Sequence, residues 1–368
     1  MQYTNVCIES LGYTLPSEIV TSDEIECRLQ PAYERLELPE GRLELMTGIA
    51  ARRFWEPGTL PGTKSIESGQ QAIAASGIER EQIGMLIHGS VCRDHLEPAT
   101  ACRVHHELGL PSSCVIYDLS NACLGQLNGL AMAANAIELG QIQAALVVGT
   151  EDGGPLVENT IRSLNEDRQW TRQSIKMAVA SLTIGSASSA MLITSADISS
   201  TGNRLKAITT QANTAHHELC HSGKDEAVAE QMSPLMHTDS EALMARGIET
   251  GVVTFSQFLK DAEWSRDQIS KTVCHQVGSA HRRQMLESLD LRLEHDYSTF
   301  SWLGNTGSAA LPVSWAIAAQ TGQVAERDHL ALLGIGSGIN CVMLAVQWQR
   351  TQVASQSPLP EFLPATPA

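Results

Sequence analysis

The stretch Arg80-Glu81-Gln82-Ile83-Gly84-Met85-Leu86-Ile87-His88-Gly89-Ser90-Val91 returns 186 positions later as Arg266-Asp267-Gln268-Ile269-Ser270-Lys271-Thr272-Val273-Cys274-His275-Gln276-Val277. Each copy opens on polar residues around an arginine and closes on an apolar run of strand length. A second pair echoes in the same order. Ile184-Gly185-Ser186-Ala187 leads into Ala190-Met191-Leu192-Ile193, and Ile335-Gly336-Ser337-Gly338 leads into Val342-Met343-Leu344-Ala345. The second offset is shorter, so the first half carries about 35 extra residues. A period this long marks a tandem pair of domain-sized halves rather than a solenoid. We divide the chain into a first half at 1–200, a second at 201–348 and a proline-rich tail at 349–368. The tail is expected to be flexible, because proline cannot donate to a sheet ladder.

Outward from the repeat, apolar runs and helical periodicity alternate. In the first half, strands are expected at 85–90, 114–119, 144–149 and 188–194, with helices at 65–76, 99–108 and 122–139. In the second, strands are expected at 272–275, 329–334 and 341–347, with helices at 240–262, 279–289 and 306–320. That alternation indicates an α/β fold with helices layered about a largely parallel sheet. In a fused duplicate, equivalent strand ends meet at a pseudo-twofold axis. The turns at Cys123, His275 and Gly334 to Gly338 are therefore expected to converge on one site.

Composition narrows the function. A formal net charge of −16 and 4% aromatic content disfavour nucleic acid and anionic membrane surfaces as partners. No apolar run approaches membrane-spanning length, and the N-terminus lacks the basic start and apolar core of a signal peptide. Nine scattered cysteines with no C-x-x-C spacing suit reduced thiols, so a cytoplasmic protein is expected.

Cys123, in Asn121-Ala122-Cys123-Leu124-Gly125, is read as lying in the first turn of its helix. Free N–H groups and the helix dipole favour a thiolate there, although a cysteine in that position also suits plain packing. His275 ends a strand and Asn305 precedes a helix. A thiol, an imidazole and an amide together suit acyl transfer, with the thiol taking the acyl group and the other two donating to an oxygen that gains charge. Singly, His275 also suits a hydrogen-bonded strand end and Asn305 a helix N-cap.

Taken in this order, these residues resemble the thiolase superfamily and its ketosynthase III branch, over about residues 1 to 348. The resemblance implies a five-layered αβαβα sandwich of two duplicated halves, assembled as a homodimer. It places the acylated cysteine on Cys123 and its partners on His275 and Asn305. The backbone N–H groups of Cys123 and Ile335 are then the oxyanion hole. Members that initiate fatty-acid synthesis carry His-Gln-Ala-Asn, where this chain has His275-Gln276-Val277-Gly278. The stretches from Ser90 to Cys102, Asn121 to Leu124 and Leu332 to Cys341 are more similar to the OleA-type enzymes that join two fatty acyl-CoA molecules head to head. In that branch the glutamate matching Glu97 enters the partner subunit's site as a base. A second acyl group with no carboxylate to lose must surrender an α-proton, and a positioned carboxylate can take it. The expected substrates are coenzyme A thioesters, with no metal or redox cofactor. Arg52 and Arg53 are a candidate grip for a CoA phosphate.

Two other readings stand beside this one. A decarboxylative 3-oxoacyl synthase III would use a malonyl donor on acyl carrier protein or CoA and needs no Glu97. His217-Glu218-Leu219-Cys220-His221 satisfies H-E-x-x-H, the pattern of a zinc hydrolase when it lies on a helix.

Overall fold

The computed structural model describes residues 1–223 and 235–360. The longer strands of its main sheet are β1 (Val6–Thr14), β2 (Ile83–Gly89), β3 (Val115–Leu119), β4 (Ala144–Glu151), β5 (Ala187–Ser195), β6 (Arg204–Ala212), β7 (Lys271–Cys274), β8 (His329–Gly336) and β9 (Asn340–Gln347). They lie in the order β7-β8-β9-β6-β1-β5-β4-β2-β3. Each half repeats one pattern. β2 and β4 are parallel, as are β7 and β8, and β4, β5 and β1 then alternate in direction as β8, β9 and β6 do. Even the edge strand β3 has a vestige in the second half, a parallel bridge from Thr272 to Asp296.

The sheet is therefore mixed, not largely parallel. Only three residues separate β8 from β9, which permits a hairpin but no parallel crossover. At the matching place the first half inserts α4 (Gly154–Glu166) and a 3₁₀ run at Ser174–Thr183, which accounts for the extra residues inferred from the offsets.

The core falls into layers. α1 (Pro61–Ser76) and α2 (Thr100–Leu108) bury Ala72, Ile73, Val104 and Leu108 against Leu86 and Leu146 on the outer face of the first-half sheet. α5 (Ser240–Ala262) and α6 (Ser279–Ser288) bury Phe255, Phe258, Met285 and Leu286 against Leu333 and Met343 of the second. α3 (Gly125–Glu138) and α7 (Ala310–Gln320) fill the middle, where Leu127, Leu130, Trp315 and Ile317 meet Met191 and Ile193 from one sheet and Leu332 and Leu344 from the other. Each such side chain contributes about 1.5–3 kcal/mol by leaving water. The five-layered αβαβα arrangement is thus a consequence of two sheet halves, each covered on both faces, sharing one helical filling.

The tail does not run free. Val353 and Ala354 pair in parallel with Leu11 and Gly12 of β1, and Ser355 Oγ donates to Tyr13 O at 2.7 Å. β1 meets β6 at Cys7 and Arg204, which leaves the rest of that edge open to the returning chain. Pro358 and Pro360 lie beyond the paired residues, and the rest of the tail lies outside the described residues.

Candidate active site

Cys123 sits just ahead of α3 rather than in its first turn. The helix starts at Gly125 with Leu124 as its cap, and Ala122 takes the left-handed φ of 46°. Backbone contact forces this turn. A Cβ on Gly89 would stand 2.7 Å from the Gly125 carbonyl carbon, and one on Gly125 would stand 3.2 Å from Leu119 O. Strand end and helix start therefore touch directly, and the residues between them are lifted out as a loop. The expected dipole activation is not what the site shows. Burial first, then Glu151 and Cys220, pushes the Cys123 thiol up to about 12, against the pull of two N–H groups.

Those N–H groups belong to Cys123 itself and Ser337. Where the resemblance implies Ile335 as the second donor, the N–H group that faces the sulfur beside that of Cys123 is Ser337's. Ile335 lies within β8 opposite Cys341, and its side chain packs over Gly247 of α5. Ser337 opens the β8–β9 turn and so presents its N–H to the thiol. Its Oγ donates to Cys220 Sγ at 3.3 Å, and that sulfur lies 3.3 Å from Thr238 Oγ1.

His275 follows β7, where its N–H donates to Leu333 O of β8 at 3.0 Å. That bond sets the imidazole beside the strand that leads to Ser337. Burial first, then His281, pushes the ring down to about 3, and burial holds His281 down to about 4. The next residue ties this strand end to the asparagine's segment. Gln276 Oε1 accepts from Thr299 N–H at 2.7 Å and Phe300 N–H at 3.1 Å, at the start of the short helix Phe300–Leu303. A Cβ on Gly278 would lie 2.8 Å from Thr47 O, so this position has no room for a larger residue.

Asn305 is fixed at both backbone groups. Its N–H donates to Thr183 O, and its carbonyl accepts from Gly185 N–H, both at 2.9 Å. Oδ1 accepts from Gly307 N–H at 3.1 Å, which leaves Nδ2 as the end free to donate to a substrate oxygen. Asn305 thus closes an Asx turn rather than capping the helix, since Thr306 is the N-cap of the 3₁₀ turn Gly307–Ala309, and it still keeps its donor. Ser308, on the same turn, sets its Oγ 2.9 Å from Gly89 O, which seats the turn over the Gly89–Gly125 contact. The Cys123 turn thus lies against Gly336 of β8, His275 is bonded to Leu333 of that same strand, and the Asn305 turn rests on Gly89, which touches Gly125.

Glu97 is exposed on the loop between β2 and α2. The loop is tied at both feet. Ser90 Oγ donates to Thr150 O at 2.6 Å, and beyond the crest Thr100 and Ala101 N–H groups donate to Asp118 at 2.7 and 2.9 Å. Leu96 beside it is 46% exposed, and β3, the neighbouring sheet edge, exposes Val115 and Tyr117.

Arg52 and Arg53 are not a surface grip. Both are buried. Arg52 donates to Ser22 Oγ and to Leu182 O, each at 3.1 Å, while Arg53 donates to Pro16 O at 3.0 Å and lies over the Trp302 ring. Their guanidinium groups satisfy the carbonyls of Leu182 and Pro16. The H-E-x-x-H reading also falls. Thr214–Leu219 is a 3₁₀ segment and His221 belongs to a strand, Cys220–Ser222, paired with Met236–Thr238, so the two histidines do not share a helical face. No group of three or more His, Cys, Asp or Glu among the described residues is placed to hold a metal. All nine cysteines are free thiols, and no helix among the described residues is long and apolar enough to cross a membrane.

Sequence reasoning missed Glu151, Ser337, Cys220 and His281. Glu151 left a trace: an acid closing the otherwise apolar run from Ala144 to Val148.

The geometry agrees with what this chain is similar to. Residues 65–188 match the family model of the thiolase N-terminal domain, and residues 259–348 match that of the 3-oxoacyl-[acyl-carrier-protein] synthase III C terminus. An acyl-CoA:acyl-CoA alkyltransferase of Shewanella oneidensis is 38% identical over 351 residues, covering 95% of this chain and all of that one. Its counterpart in Xanthomonas campestris is 32% identical, again over 95% of this chain and 100% of the relative. A crystal structure of Xanthomonas campestris OleA with bound lauric acid and lauroyl-CoA superposes with a TM-score of 0.88 at 32% identity, over 94% of this chain and 100% of that chain.

Proposed function

This chain belongs to the acyl-CoA:acyl-CoA alkyltransferases of the thiolase superfamily, and on that premise we propose that it condenses two fatty acyl-CoA thioesters head to head without decarboxylation. The observation that carries the reading is a buried thiol facing the N–H groups of Cys123 and Ser337, just past the strand to which His275 is bonded, with Asn305 Nδ2 left to donate.

In the first half-reaction Cys123 Sγ attacks the acyl carbonyl. The carbon–sulfur bond to CoA breaks, and the thiol proton leaves with the CoA sulfur. The N–H groups of Cys123 and Ser337 hold the transient oxyanion. In the second, Glu97 of a neighbouring copy takes an α-proton from a second acyl-CoA, whose enolate oxygen is held by His275 and Asn305 Nδ2. A neutral imidazole can donate from one nitrogen, which is the form its environment favours. The α-carbon then attacks the thioester carbonyl, the carbon–sulfur bond to Cys123 breaks, and the proton held by Glu97 goes to the departing sulfur to restore the thiol. A 2-alkyl-3-oxoacyl-CoA results. Every step is an acyl or proton transfer, so the reading calls on no cofactor beyond the CoA of its substrates.

The exposed Glu97 crest beside the open edge of β3 supports a homodimer in which each copy lends its loop to the other. The thiols and the acyl-CoA substrate support a cytoplasmic location.

Incubation with myristoyl-CoA alone tests the reading. Condensed product should form, and intact-mass spectrometry should find acyl-Cys123. Cys123→Ala should lose both, while Glu97→Gln should acylate without condensing. Product that forms only after malonyl-CoA or malonyl-acyl carrier protein is added would establish the decarboxylative reaction instead.

A further inference from the structure

Glu151 closes β4 as a buried carboxylate, which is costly unless every lone pair is matched. It is matched from two directions. Oε1 accepts from Val91 N–H at 3.1 Å, and Oε2 accepts from Cys92 N–H at 3.4 Å. Oε1 also accepts from Ser308, through N–H at 3.3 Å and through Oγ–H at 2.5 Å. All of these partners donate, the arrangement that suits an acceptor-only side chain. The stem is packed as well. A Cβ on Gly307 would stand 2.9 Å from Glu151 Cγ, and Trp55 Nε1 donates to Glu151 O at 3.1 Å.

The two sets of donors serve different sites. Val91 and Cys92 begin the loop that rises to Glu97, and Ser308 belongs to the turn that begins at Asn305. We infer that Glu151 is a positioning residue that fixes, with one carboxylate, the base loop lent to the partner's site and the oxyanion turn of its own site. The inference rests on the reading above, in which Glu97 acts in the neighbouring copy. It adds a mechanical tie between the two sites of a dimer. Neither role requires contact with substrate.

Differentially tagged mixed dimers test it. Pairing a Glu97→Gln protomer with a Cys123→Ala protomer leaves one competent site, made of the first protomer's Cys123 and the second protomer's Glu97. Adding Glu151→Gln to the Cys123→Ala protomer disturbs only the loop that reaches the competent site. Condensation should fall by about tenfold to a hundredfold, while acyl-Cys123 forms at its normal rate and is diverted to free fatty acid. Adding Glu151→Gln to the Glu97→Gln protomer disturbs only the Asn305 turn, and should also lower condensation. Ser308→Ala keeps the carboxylate and removes one arm, so it should act only in that second placement, which a general folding defect would not reproduce. If condensation and the ratio of condensed product to free acid stay within about twofold of the control in both placements of Glu151→Gln, the inference is overturned. An inactive control dimer, with the wild-type dimer active, overturns the shared-site reading and the inference with it.

Discussion

Gly336 lies against the Cys123 turn so closely that a methyl group on it would stand 3.0 Å from Leu124 Cγ and 3.6 Å from the Cys123 backbone nitrogen. Gly334, on the same strand, is tighter still: its Cβ would meet Leu127 Cδ1 at 2.6 Å and Val342 O at 2.9 Å. Neither glycine has a positive φ, so both positions need space and not conformational freedom. Gly334→Ala should therefore destabilise by about 1–3 kcal/mol through overpacking. Gly336→Ala should keep most of its stability but displace Leu124 and slow acylation of Cys123. Urea unfolding and the rate of acyl-enzyme formation separate the two effects; a fully stable Gly334→Ala protein would contradict the packing described.

The resting thiol is expected to be sluggish. With Cys123 held up to about 12 and His275 down to about 3, neither a thiolate nor an imidazolium is present at neutral pH. Since the thiolate is the reactive form, alkylation of Cys123 by iodoacetamide should rise by about tenfold per pH unit between pH 6 and 9, with no plateau. Rates read by mass spectrometry that level off near pH 7 would instead reveal an activated ion pair.

How much of this was legible in the residues follows from what each signal depends on. The duplication rests on period, which sequence carries openly, whereas Cys123, His275 and Asn305 stand out only through the family resemblance, because each singly also suits packing, a strand end or a cap. The choice between Ile335 and Ser337 rests on where the β8–β9 turn begins, which a glycine-rich run leaves open. Arg52 and Arg53 read as surface cations because arginine is seldom buried, and only the carbonyls of Leu182 and Pro16 reveal otherwise. The helices Ser22–Arg28, Gln30–Leu36 and Arg42–Thr47 are too short for periodicity to register. The pairing of Val353 with Leu11 depends on an open sheet edge far away in sequence.

Asn305 is expected to act in the second half-reaction. Its Oδ1 is engaged by Gly307, so an aspartate would keep the turn but present a second oxygen in place of Nδ2. Asn305→Asp should leave the fold intact and lower condensation by about a hundredfold to a thousandfold, the usual cost of one oxyanion donor. Acyl-Cys123 should accumulate in a single-turnover experiment. Equal losses in acylation and condensation would assign Asn305 to the first step.

Arg52 should matter for folding and not for CoA. Replacing it with alanine strands Leu182 O and Ser22 Oγ in a buried layer, at a cost of about 2–4 kcal/mol. The folded fraction should keep its KM for acyl-CoA within about twofold. A large rise in KM without loss of thermal stability would return the residue to the substrate site.

His281 should set part of the acid sensitivity of the fold. Its Nδ1 is buried without a hydrogen-bond partner among the described residues, and burial holds the ring down to about 4. In the unfolded chain the same ring takes a proton near pH 6.5. Between about 6.5 and 4 the unfolded state therefore binds more protons than the native one, and stability falls as the pH falls. The limiting slope for one such group is about 1.4 kcal/mol per pH unit. His275 adds a second term of the same sign that persists down to about 3. His281→Gln removes one of the two, so denaturation measured from pH 6.5 to 4.5 should show a slope shallower by about 1 kcal/mol per pH unit. An unchanged slope would mean that the native protein protonates His281 as readily as the unfolded chain does.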